Sequence, residues 1–302
     1  MHVRTRRMAL SEGVIAGVFF GTASILIRFL QTLDAFSIAF WRLVVACLTL
    51  TLILIILRRS FYSTLVRNNL KELVVISMFL GLHFIFFVSA VKDTSILDAT
   101  VFVNTTPIFS MLISTFLFKS KPSRFAILGL AVSLMGICVI SYAEVTKPNA
   151  SADPDVFTST IKGDFEAIAA AIFQAFYLNF GRRTRKQMDL LSIMVPVYAL
   201  TALVVAFLSI PFTSKALTLP TDVSVVLPLL GLGIIPTATA HTLLFSSLSN
   251  LKSFETATMA LLEPIGATIL GIVLFQELPA SVFIIGAAFV LMGILLVVKN
   301  GD

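Results

Sequence analysis

Apolar residues in this chain run on for about twenty positions at a time, instead of alternating or forming a single amphipathic stripe. A helix that crosses a bilayer needs about 20 predominantly apolar residues. Ten runs meet that need, at 9–30, 35–57, 72–91, 96–118, 123–142, 163–181, 189–211, 223–249, 254–276 and 279–298. Backbone N–H and C=O groups in lipid must be satisfied within their own segment, so each run is predicted to be a helix. The first run follows a short basic stretch, Arg4-Thr5-Arg6-Arg7, as a signal peptide would. Its apolar part is too long for one, and it is kept as span one.

The polar interruptions show a second pattern. Shifting residues 107–137 by 157 positions lays them on 264–294 without a gap, and twelve of 31 positions are identical. The matches include Pro107/Pro264, Pro122/Pro279, Gly129/Gly286 and the run Leu134-Met135-Gly136-Ile137 against Leu291-Met292-Gly293-Ile294. Matched Pro and Gly in one register mark an internal repeat. The copies lie five spans apart, and an odd count inverts the second across the bilayer. Inverted repeats of this kind build secondary transporters, with the solute site near the midplane between the halves. The expected division is 1–143 for the first five-helix repeat, 144–162 for an extracytoplasmic linker and 163–302 for the second repeat. The linker carries an Asn149-Ala150-Ser151 glycosylation sequon, a pattern short enough to arise by chance.

Composition sharpens this reading. Of 302 residues, 58% are hydrophobic and only 13% charged, against roughly 25% charged in soluble domains. That excludes a water-soluble globular domain, a disordered chain and a nucleic-acid binder. Cys47 and Cys138 fall inside apolar runs, so neither a disulfide framework nor a cysteine metal site is expected. The +6 net charge is distributed unevenly. With the N-terminus inside, 16 Lys and Arg fall on the cytoplasmic side and 4 on the outer side, and Arg28 and Arg42 lie within spans. Under the positive-inside rule both termini are cytoplasmic, and a plasma (inner) membrane location is expected.

With these features in place, the chain resembles the EamA-type transporters of the drug/metabolite transporter superfamily along nearly its whole length. The marks are Trp41-Arg42 early in span two, Pro107 in span four, Gly163-Asp164 opening span six, Glu263-Pro264 in span nine and Gln276-Glu277-Leu278 after it. Paired glycines in spans five and ten add to them. One departure is Lys119-Ser120-Lys121 after span four, where the family often has an acidic residue. The resemblance implies solute transport by alternating access, commonly export of amino acids or other small metabolites.

Polar residues inside spans are the candidate site. Glu263 lies near mid-bilayer, where a charge is costly and needs a cavity, a partner or a proton. Pro264 beside it removes one backbone donor and loosens the helix. The ordinary alternative is a buried carboxylate bonded to a neighbouring helix. Arg42, about 10 Å below the outer surface at 1.5 Å per residue, could meet a solute carboxylate or phosphate, or serve in an ion pair. His83 and His241, one position off the 157-residue offset, are candidates for proton coupling or for a helix–helix hydrogen bond. Asn104, Thr106, Gln174, Tyr177, Thr239 and His241 place hydroxyl, amide and imidazole groups in spans four, six and eight. Their concentration predicts a shared cavity lined by spans one, three, four, six, eight and nine. Gly231, Gly233 and Pro236 predict an irregular span eight. Asp98 and Glu255, exact repeat mates, are read as first-turn helix residues.

The function expected is a secondary transporter, not an enzyme: no zincin, P-loop or Gly-x-Ser-x-Gly motif is present. Expected partners are a small-molecule solute, protons as a coupling ion, and the lipid bilayer, with no nucleic acid, cofactor or metal, in a monomer or weak dimer. The alternatives are uptake or exchange of a nucleotide-derived or sugar-phosphate-like metabolite and, in a different class, a lipid scramblase.

Overall fold

The computed structural model describes residues 5–58, 63–145, 160–213, 217–275, 279 and 281–299. The sequon, most of the linker, Lys147, Lys215 and the Gln276-Glu277-Leu278 mark lie outside the described residues. Within them the chain is helical, and no strand occurs. Nine helical stretches are long and apolar enough to cross a membrane: Arg6–Arg28, Ala35–Ile56, Leu70–Asp93, Ile96–Phe116, Arg124–Ala143, Leu190–Ser209, Val223–Ser247, Ser253–Val273 and Ser281–Lys299. These are spans one to five and seven to ten.

Span six, Ile161–Arg185, is the longest helix at 25 residues and is the polar one. It opens with Lys162, Asp164 and Glu166 and closes with Arg182, Arg183 and Arg185. Its middle, from Ala167 to Asn179, is largely buried in the bundle, so it has little need of a lipid-facing apolar surface. Capping residues set several starts. Asp34 accepts from the N–H of Ser37 at 2.9 Å, Ser95 Oγ from that of Asp98 at 3.0 Å, and Thr160 Oγ1 from that of Gly163 at 3.1 Å.

The packing obeys the repeat. Span three lies on span six and span one on span eight; span four lies on six and span nine on one; span two lies on eight and span seven on three. Exchanging the halves turns each pair into the next. Three further pairs, five with ten, two with seven and four with nine, are their own mates. Spans five and ten run antiparallel. A methyl group on Gly136 would meet the carbonyl oxygen of Gly286 at 2.7 Å, and one on Gly129 would meet that of Gly293 at 2.6 Å. Residues 107–137 and 264–294 therefore cross in opposite senses, as an inverted repeat requires. The chain is an all-α integral membrane protein of ten spans in two inverted five-helix repeats.

Candidate functional site: a cavity between the repeats

Four spans are interrupted, and the interruptions meet. Span one breaks at Gly21-Thr22, between Phe20 and Ala23. Span four breaks at Asn104-Thr105, just before Thr106-Pro107. Span nine tightens to a 3₁₀ turn over Ala260–Leu262 and restarts at Glu263. The breaks in four and nine fall at repeat mates, and each precedes a proline that supplies no backbone donor. Span eight widens into a π-helix over Gly233–His241, around Pro236. There Thr237 Oγ1 donates to the carbonyl of Leu232 at 2.6 Å and Thr239 Oγ1 to that of Ile234 at 2.9 Å, both five residues back. π segments recur at functional sites. A methyl group on Gly21 would meet the Glu263 carbonyl oxygen at 2.7 Å, so the broken parts of spans one and nine lie against each other.

A cavity of about 40 Å³ sits at this junction. Its polar lining is Arg42, His83, Asn104, Thr106, Gln174, His241 and Glu263. Phe20, Phe84 and Phe87 supply much of the apolar wall. The lining comes from spans one, three, four, six, eight and nine, and span two adds Arg42. A volume of this size suits a few ordered waters.

Arg42 is 1% exposed. Its Nε donates to Thr237 Oγ1 at 2.9 Å, and its guanidinium lies 4.2 Å from the Phe84 ring centroid. It neither snorkels to the surface nor pairs with a carboxylate among the described residues. Tyr198 braces Thr237, donating from its hydroxyl to the Thr237 carbonyl at 2.7 Å and lying 3.0 Å from Thr242 Oγ1. His83 Nδ1 lies 3.0 Å from the Ala170 carbonyl. The His83 and His241 rings are 5.8 Å apart, and His241 is edge-on to Phe20 and Phe84 at 4.8 Å.

Buried polar atoms without a protein partner are rare in folded proteins. Here Arg42 Nη1, Asn104 Nδ2, Gln174 Oε1, His241 Nδ1 and Glu263 Oε1 are all of this kind, and all belong to residues lining one cavity. Tyr177 borders the cluster. Its ring packs against His241 at 6.4 Å and Phe245 at 5.6 Å, and its hydroxyl also has no partner. Thr106 Oγ1 is used by the Val103 carbonyl at 2.7 Å.

The structure thus brings together eight of the nine candidate residues. Thr239 stands apart: its hydroxyl is tied to its own helix, and it does not line the cavity. Thr237, which does not line the cavity either, accepts from the lining residue Arg42 instead. Tyr198 and the three phenylalanines were not anticipated, since phenylalanine reads first as a lipid-facing residue. Asp98 and Glu255 are first-turn residues. Ser95 Oγ donates to Asp98 Oδ2 at 2.7 Å, and Glu255 accepts the Lys252 N–H at 2.7 Å and pairs with Arg6 at 3.0 Å.

A solved crystal structure matches the chain with a TM-score of 0.78 over 98% of both chains, at 18% sequence identity. At that identity the likeness shows the fold alone. No curated protein matches the chain. The description EamA-like transporter family matches twice, at residues 8–142 and 161–299, once for each half. With two copies of that family's unit covering nearly its whole length, the chain is a member of the EamA-like transporter family.

Proposed function

We propose that the protein is a secondary transporter that exports amino acids or closely related compounds by alternating access. The observation that carries the reading is the convergence of five unpartnered polar atoms on one buried cavity where four interrupted spans meet. Such groups stay buried at a cost of about 1–3 kcal/mol each unless a ligand satisfies them. In this reading Arg42 receives a carboxylate and Glu263 an ammonium group, with Asn104, Gln174 and His241 orienting the solute. His83, Thr106 and Tyr177 shape the wall, and Glu263 or the histidine pair carries the coupling proton. The positive-inside bias supports cytoplasmic termini in the plasma (inner) membrane. Polar groups gathered in an interior cavity, instead of on a lipid-facing groove, disfavour a scramblase.

Counterflow into proteoliposomes preloaded with single metabolites tests this. Uptake of labelled amino acids driven by internal amino acids is the expected result. Counterflow confined to sugar phosphates or nucleotides would replace the solute class, and an absence of counterflow across the panel would overturn the transport reading.

A further inference from the structure

A second cavity, of about 210 Å³, opens at the cation-rich end of span six. Arg182, Arg183, Lys186, Ser114, Asn179 and Ser253 line it with Phe118, and no carboxylate among the described residues does. Arg182 is held in place by Nε donation to the Leu251 carbonyl at 2.9 Å. Arg183 and Lys186 are exposed and form no ion pair among the described residues. Glu255, the acid whose field reaches Arg182, is already engaged by Arg6 and by the Lys252 N–H. Cations in the last turn of a helix are ordinary. Three of them around a concavity with two hydroxyls and an amide, and without an acid, are the makings of an anion site.

Its position gives the site a use. Gln174 in the central cavity and Arg182 are eight residues apart on one helix, about 12 Å along its axis. Between them lie two polar ties. Asn179 Nδ2 donates to Ser110 Oγ at 3.0 Å and to the Ser110 carbonyl at 3.2 Å, joining spans six and four. Ser253 Oγ donates to the Leu178 carbonyl at 3.4 Å, joining nine and six. The basic cavity and the central cavity are thus consecutive chambers along one three-helix seam, with the ties as the partition.

We infer that Arg182, Arg183 and Lys186 form an anion-binding vestibule where a carboxylate or phosphate group is held before it passes the Ser110–Asn179 partition. This rests on the transport reading and extends it, because it makes the anionic end of the solute the leading end. The same chemistry could be supplied by a lipid headgroup phosphate.

The test uses the full chain with Cys47→Ala and Cys138→Ala, reconstituted in phosphatidylcholine nanodiscs and carrying Ser114→Cys as a reporter. Two methanethiosulfonate reagents of similar size, one sulfonate and one trimethylammonium, are reacted with it. Relative to free cysteine, the sulfonate reagent is expected to react roughly tenfold faster than the cationic one, as in a positively charged cleft. Arg183→Gln with Lys186→Gln, both at exposed positions, should bring that ratio back to the free-cysteine value with an unchanged melting temperature. Millimolar inorganic phosphate should slow the reaction in the parent and not in the double variant, while chloride at equal ionic strength should not. Slowing by phosphatidylglycerol in the disc instead of by free phosphate would assign the site to a lipid headgroup. Equal rates for the two reagents, a ratio insensitive to the double variant, or protection by neither phosphate source would overturn the proposal. The readout needs no turnover, so it fails separately from the counterflow assay.

Discussion

At the scale of single residues, Glu263 carries the sharpest expectation. It is 6% exposed at the first position of a restarted helix, and its Oε1 has no protein partner. A carboxylate kept for packing alone would show such a bond, and losing one costs about 1–3 kcal/mol. Glu263→Gln preserves size and removes charge, so the melting temperature should hold or rise. Transport should fall roughly tenfold or more, because a charged hydrogen bond to solute or proton contributes about 1.5–3 kcal/mol. Melting temperature and initial rate on one purified sample decide it, and a normal rate with a normal pH profile would return Glu263 to a packing role. Residues of this kind are legible in sequence because a polar group in an apolar run demands an explanation. The facing of Thr237 and Thr239 was not legible. It depends on the five-residue register of the π segment, and an ordinary helical period misassigns it.

At the scale of elements, the helix contacts follow from glycine positions. Gly129 and Gly136 in span five and Gly286 and Gly293 in span ten are seven apart, share a face, and meet backbone to backbone. Gly136→Ala would put a methyl group 2.7 Å from both the Gly286 carbonyl oxygen and the Val290 nitrogen. Overpacking of that kind costs about 1–3 kcal/mol. A lower melting temperature with normal transport per folded molecule is expected. Gly231→Ala is the control, since its new methyl group would find only the Leu26 side chain, at 3.4 Å. Equal losses in both would mean that close approach does not set the cost, since alanine is the better helix former at either position. The spans themselves and the irregularity of span eight could be read from apolar runs and from Gly and Pro. In span four the polar patch Asn104–Pro107 marked the place of the break, whereas Gly21-Thr22 in span one gave little signal. Both breaks lie beside Glu263 or the cavity.

At the scale of the molecule, the repeat makes a statement about motion. Alternating access requires one seam to part while its mate stays shut. Ser110 lies on the seam of spans four and six. Adding the 157-residue offset gives Ala267, whose backbone lies against Gly21 on the seam of spans nine and one. The first seam is held by side-chain hydrogen bonds from Asn179 and the second by close backbone approach, so the two sides close by different means. If the first seam opens in every cycle, tying it should stop transport from both directions. In a chain with Cys47→Ala and Cys138→Ala, Ser110→Cys and Asn179→Cys place two thiols where the Nδ2–Oγ hydrogen bond now spans 3.0 Å. Oxidation, or a short bifunctional thiol reagent, should abolish counterflow, reduction should restore it, and each single cysteine variant should be insensitive. Full transport by cross-linked protein, with the link verified by mass, would mean that the solute crosses by another path. The central cavity would then be structural, however many polar groups face it.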